Sequence, residues 1–139
     1  MLRKEHGMAG AHVRAILSAP NYKVEINANG HDLLADEPPE LGGANAGPSP
    51  FALVLSGLSA CTTITLKMYA DKKGWPLEGL EAELRLHPGE PRRRIERSVS
   101  VRGPLSDEQI ARLREIVERT PVTLALLQGF DIDTTLASA

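Results

Sequence analysis

The stretch SPFALVLSGLSACTTITLKMYADKKG, residues 49–74, decides how the rest of the chain is read. Ser49 followed by Pro50 is an N-cap with proline at the first helical position, and Gly74 is a fitting C-terminal glycine. Between them the pattern predicts one long helix from Phe51 to about Lys72. Its first turns are apolar nearly all round, so it must be covered on most sides. The apolar run is broken by Ser56, Gly57, Ser59, Thr62, Thr63 and Thr65 and stops at Lys67. That falls short of the roughly 20 residues a membrane span needs. The stretch therefore reads as a core helix, with no membrane partner, and it carries the chain's only cysteine, Cys61.

Upstream, Ala11–Ser18 alternates Val13, Ala15 and Leu17 with His12, Arg14 and Ser18. Tyr22–Ala28 sets Tyr22, Val24 and Ile26 against Lys23, Glu25 and Asn27, the mark of a half-buried strand. Asn29-Gly30 is the strongest short hairpin signal in the sequence, so His31–Ala35 is expected to return as a third strand. Asp36 to Pro48 is aperiodic and rich in Gly and Pro, hence a loop. Asp36 and Glu37 in it read as polar residues that fix the approach to the helix. Residues 1–10 have a basic start with no apolar stretch behind it. They are expected to be a flexible segment rather than a secretory signal.

Downstream, Leu80–His87 alternates, and Ile95, Val99 and Val101 share a face of the next strand with Arg97 also on it. The two are expected to form a second hairpin. Ser106 with Gln109 is a capping box, opening a helix striped by Ile110, Leu113, Ile116 and Val117, with Glu108–Arg112 and Glu115–Arg119 as i,i+4 pairs. Thr120-Pro121 repeats the cap-then-proline pattern for a short apolar helix through Leu127. Phe130–Leu136 alternates again as a last strand. The order βββ-α-ββ-α-α-β groups strands in blocks, which predicts antiparallel sheets and an α+β class.

Composition sets the remaining bounds. The 139 residues fit one domain, 1–139, and 42% apolar with 24% charged residues is a globular balance. A formal charge of −2 gives no electrostatic ground for nucleic acid as partner. One cysteine excludes an internal disulfide framework and fits a reducing, cytoplasmic setting. His6, His12, His31 and His87 show no ligand spacing with one another or with Cys61, so no metal or cofactor is expected. Arg92, Arg93 and Arg94 fall at a hairpin turn and read as a solvated tip. Tyr69 and Trp75, near the end of the long helix, are expected to anchor it.

Several ordered segments together resemble the OsmC/Ohr family: Asp36-Glu37-Pro38, Gly42-Gly43, Gly47-Pro48-Ser49-Pro50, Leu58-Ser59-Ala60-Cys61-Thr62, Met68-Tyr69-Ala70 and Lys73-Gly74-Trp75-Pro76-Leu77-Glu78. The stretch RSVSVRGPLSDEQIARLREIVERTPV is similar to the family's later strand and helix pair. The resemblance spans almost the whole chain after residue 20. It implies an intertwined homodimer with two central helices buried between curved sheets. It also implies a thiol peroxidase of stress defence. A cysteine on the central helix, here Cys61, reduces an organic hydroperoxide and becomes a sulfenic acid, and a second cysteine and a dithiol restore it.

Carried over residue by residue, much of that chemistry is altered. The resolving cysteine's position holds Thr120, which keeps the helix cap but cannot form a disulfide, so an outside thiol must resolve the sulfenic acid. The family's acidic position holds Ala52. No arginine lies between Arg14 and Arg85 to match the family's, and Arg14 has the wrong spacing. Cys61 is three turns inside its own helix, too far from that N-terminus for dipole assistance. Two readings follow: a one-cysteine peroxidase acting through Cys61 with an external thiol, or a non-catalytic dimer holding a small apolar ligand beside Cys61.

Overall fold

A computed structural model of the protein describes residues 10–18 and 20–138. The expectations for residues 1–9, His6 included, lie outside the described residues. The chain divides into two compact units, one ending at Val54 and the other beginning at Leu55.

The first unit is a three-stranded antiparallel sheet in the order β1 (Val13–Ile16), β2 (Val24–Ala28), β3 (His31–Ala35). Asn29 (φ 50°) and Gly30 (φ 90°) are both left-handed, as a two-residue hairpin requires, and set Ala28 opposite His31. The Gly-Pro loop that follows is wound on one carboxylate. Asp36 Oδ1 accepts the N–H of Glu37 at 2.7 Å, and Oδ2 accepts those of Ala44 at 3.2 Å and Ala46 at 3.1 Å. These N–H groups, Ala46 first, hold the carboxyl below its ordinary pKa. Gly43 is required there, because a Cβ would collide with the Glu37 carbonyl. Asp36 does fix the approach to the helix: its own N–H reaches Pro48 O at 3.1 Å, and Ser49 Oγ accepts from Ala52 N at 3.3 Å.

Helix α1 (Pro50–Lys73) is 24 residues long. The helix outruns its apolar segment, and by length and composition it would suffice to cross a membrane. Within the second unit it instead buries one stripe, Leu58, Thr62, Leu66 and Ala70, spaced four apart. Strands β4 (Gly79–His87) and β5 (Arg94–Arg102) pair antiparallel from Gly79↔Arg102 to His87↔Arg94. This register leaves Ile95, Arg97, Val99 and Val101 on the half-buried face of β5. Helix α2 (Asp107–Val117) opens with the complete capping box: Ser106 Oγ accepts from Gln109 N at 3.1 Å, and Gln109 Oε1 from Ser106 N at 2.9 Å. Helix α3 (Pro121–Gln128) starts at Thr120, whose hydroxyl accepts from Thr123 N. Tyr69 and Trp75 pack edge to face, centroids 5.5 Å apart. Arg112 Nε reaches the Tyr69 hydroxyl at 2.9 Å. So engaged, Arg112 pairs with Glu115 and not with Glu108.

One expectation is corrected. Phe130–Leu136 forms no strand among the described residues, and its alternating side chains are exposed. A strand exists only as a ladder, and neither sheet of the chain supplies this segment with a partner. Within the single chain α1 is covered only in part: Phe51, Val54, Ile64 and Met68 stay exposed.

Candidate functional site at Cys61

Cys61 lies on α1, half-buried, one residue before the buried Thr62. Its Sγ accepts the N–H of Val122 at 3.4 Å and stands 3.7 Å from Thr65 Oγ1. Val122 is in the first turn of α3, where N–H groups have no partner within the helix and the dipole favours negative charge. The sulfur is too deep in its own helix to meet such a terminus, and the N–H that reaches it comes from a different helix. That contact joins residues 61 apart in sequence.

A cation stands behind this contact. Arg97, only 12% exposed, reaches in from β5. Its Nη1 donates to Thr62 Oγ1 and to Thr123 Oγ1, each at 2.9 Å, and its Nη2 donates to Val117 O at 3.1 Å. Thr62 neighbours Cys61 and Thr123 neighbours Val122, so one guanidinium ties α1, the end of α2 and the start of α3 around the sulfur. The nearest carboxylate, Glu118 Oε1, is 3.8 Å from Nη2 and belongs to a side chain 73% exposed. The half-buried guanidinium charge is therefore held mainly by neutral oxygens.

Thr120 is fully buried, and its hydroxyl lies 2.6 Å from that of Thr123. Threonine at this position thus belongs to the Arg97 network as well as to the helix cap. Arg14 lies on β1 in the first unit, along a cavity of that sheet, and Ala52 lies on the first turn of α1. Sequence reasoning placed Arg97 on an apolar strand face, which was the available signal, without assigning it a role.

Two cavities have Arg97 and Glu118 in their walls. One, of about 320 Å³, is bounded by Leu66, Val99, Ile110 and Leu113 among others. The second, of about 280 Å³, is bounded by Leu58, Ile95, Thr123, Leu126 and Leu127. Cys61 is in neither wall, but Leu58 and Thr123 bring the second cavity next to it: Leu58 one helical turn before it, Thr123 one residue beyond the Val122 that it touches.

The sequence matches the family model "OsmC-like protein" over residues 42–135. No curated protein matches it. Among solved structures, an OsmC-like protein of Mycoplasma pneumoniae superposes with a TM-score of 0.73 at 20% identity, covering 86% of this chain and 89% of the other. An organic hydroperoxide resistance protein OsmC of Legionella pneumophila gives 0.63 at 19% identity, covering 86% and 90%. The organic hydroperoxide resistance protein OhrB of Bacillus subtilis gives 0.57 at 21%, covering 84% and 89%. The α+β architecture of antiparallel sheets and central helix is thus shared with these proteins, and the chain belongs to the OsmC/Ohr family.

Proposed function

We propose that the whole chain works as one OsmC-like domain, a cytoplasmic homodimer, and reduces organic hydroperoxides through Cys61 as its sole redox residue. The observation that carries this reading is the Val122 N–H aimed at Cys61 Sγ, backed by a half-buried Arg97 that orders both helices. The thiolate is the nucleophile, and a helix N-terminus stabilises charge on it. Attack forms an S–O bond and breaks the O–O bond. The alkoxide leaves as an alcohol after taking a proton, and Cys61 becomes a sulfenic acid. With Thr120 at the resolving position, an external thiol condenses with the sulfenic acid, releasing water and leaving a mixed disulfide. A second thiol then frees Cys61, and the reductant departs as its disulfide.

The second reading is a non-catalytic dimer holding a small apolar ligand beside Cys61. Thr120 and Ala52, standing where the family has a resolving cysteine and an acid, favour it. Reduced protein assayed with cumene hydroperoxide and a small-thiol or lipoyl reductant separates the two. Turnover that vanishes in Cys61→Ser supports the peroxidase. No turnover, with Cys61 unlabelled by iodoacetamide near neutral pH, leaves the binding protein.

A further inference from the structure

Thr62, Thr63 and Thr65 all follow Cys61 on α1, and their hydroxyls are not used alike. Thr62 Oγ1 donates to Leu58 O at 2.7 Å, and Thr63 Oγ1 donates to Ser59 O at 3.1 Å. Bonding the carbonyl one turn back is the ordinary use of a hydroxyl inside a helix. Thr65 departs from it. Its hydroxyl has one side-chain partner among the described residues, Cys61 Sγ at 3.7 Å. The two residues are i and i+4, neighbours on one helix face, and both are half-buried.

In that contact either atom can donate while the sulfur is a thiol, since a hydroxyl both gives and accepts. Loss of the thiol proton ends the choice. A thiolate only accepts, so the Thr65 hydrogen must turn to it and join the Val122 N–H already at 3.4 Å. Two donors from two helices then converge on one sulfur, a fixed backbone group and a hydroxyl that rotates. The charged groups around them are few. Helix α3 has no ionisable side chain, and the first charged residue of α1 is Lys67, paired with Asp71. Strand β5 brings Arg97, and the end of α2 brings the exposed Glu118 beside it. Neither is altered by a change at Thr65.

We infer that Thr65 activates Cys61: its hydroxyl turns to donate to the sulfur as the thiolate forms. The inference rests on the reading of Cys61 as nucleophile, but the sulfur's own titration tests it apart from turnover. Alkylation of the full chain by iodoacetamide, followed by intact mass from about pH 5 to about pH 10, reports on the one cysteine. Thr65→Val keeps the shape and removes the hydroxyl, and the midpoint of the rate profile moves up by about 0.5–1 pH unit. The plateau at high pH does not fall, because a less stabilised thiolate is no weaker a nucleophile. Thr65→Ser retains the donor and the parent's midpoint. Should valine disturb the fold, Thr65→Ala gives the same upward shift. Thr63→Val removes a hydroxyl spent on the backbone and leaves the profile alone. An unmoved midpoint in Thr65→Val, a plateau that falls with it, or an equal shift in Thr63→Val overturns the inference. Cumene hydroperoxide turnover is read on the same proteins. A shifted midpoint without turnover in the parent sinks the peroxidase reading alone, whereas turnover with an unmoved midpoint sinks the role of Thr65 alone.

Discussion

Arg97 shows how much one side chain can organise. Its removal strands Thr62, Thr123 and the Val117 carbonyl without their donor. Hydrogen bonds from a charged group contribute about 1.5–3 kcal/mol each, not additively. Arg97→Met should therefore lower the unfolding free energy by about 2–4 kcal/mol in urea titration, and alkylation of Cys61 should slow under folding conditions. A loss no larger than that of an ordinary surface substitution would show that the network is ornamental. Asp36 is the corresponding residue of the loop. Folding lowers its pKa from 3.8, so it adds stability at higher pH, and that stability is lost as acid protonates the folded carboxylate. Asp36→Asn should melt lower than the parent at pH 7, with the gap closing below pH 3.8. A constant gap across that range would refute the assignment. Neither role was equally visible in advance. The Asp36 carboxylate bonds groups at most 10 residues away in a stretch already marked as a tight loop. Arg97 joins partners 35 and 26 residues distant, and local pattern carries no record of such pairings.

Elements whose boundaries rest on short-range chemistry could be read directly. The Asn29-Gly30 turn, the Ser106–Gln109 box and the Thr120-Pro121 start each depend on residues within three positions, and each forms where expected. The box is simple to test: Ser106→Ala should cost about 1 kcal/mol of stability, and Ser106→Asp should restore most of it. Equal stability of all three in thermal melts would show the cap to be idle. Two features escaped the same reasoning. The N–H that reaches Cys61 belongs to the first turn of another helix, 61 residues away. The alternation of Phe130–Leu136 is that of a strand, yet alternation describes only a face, and a strand needs a neighbour to bond.

At the scale of the molecule, what stands out is apolar surface left open. Ile64 and Met68 are one turn apart on α1, and Leu124, Leu127, Phe130, Ile132 and Leu136 follow on the C-terminal segment, all exposed in the single chain. Apolar area of that extent marks an association surface, which supports the homodimer proposed above. A chain carrying Ile64→Glu and Met68→Glu should sediment as a monomer where the parent sediments as a dimer. A parent that is monomeric at micromolar concentration would remove the proposal.

Met68 carries a further consequence. Its thioether, 66% exposed in the separate chain, belongs to a residue type that peroxides convert to a polar sulfoxide. A subunit caught apart in oxidant would lose the greasy patch needed to find its mate, and dilution under stress would become a ratchet. Enzymatic repair of the sulfoxide, rather than renewed concentration, would then decide whether the pair re-forms.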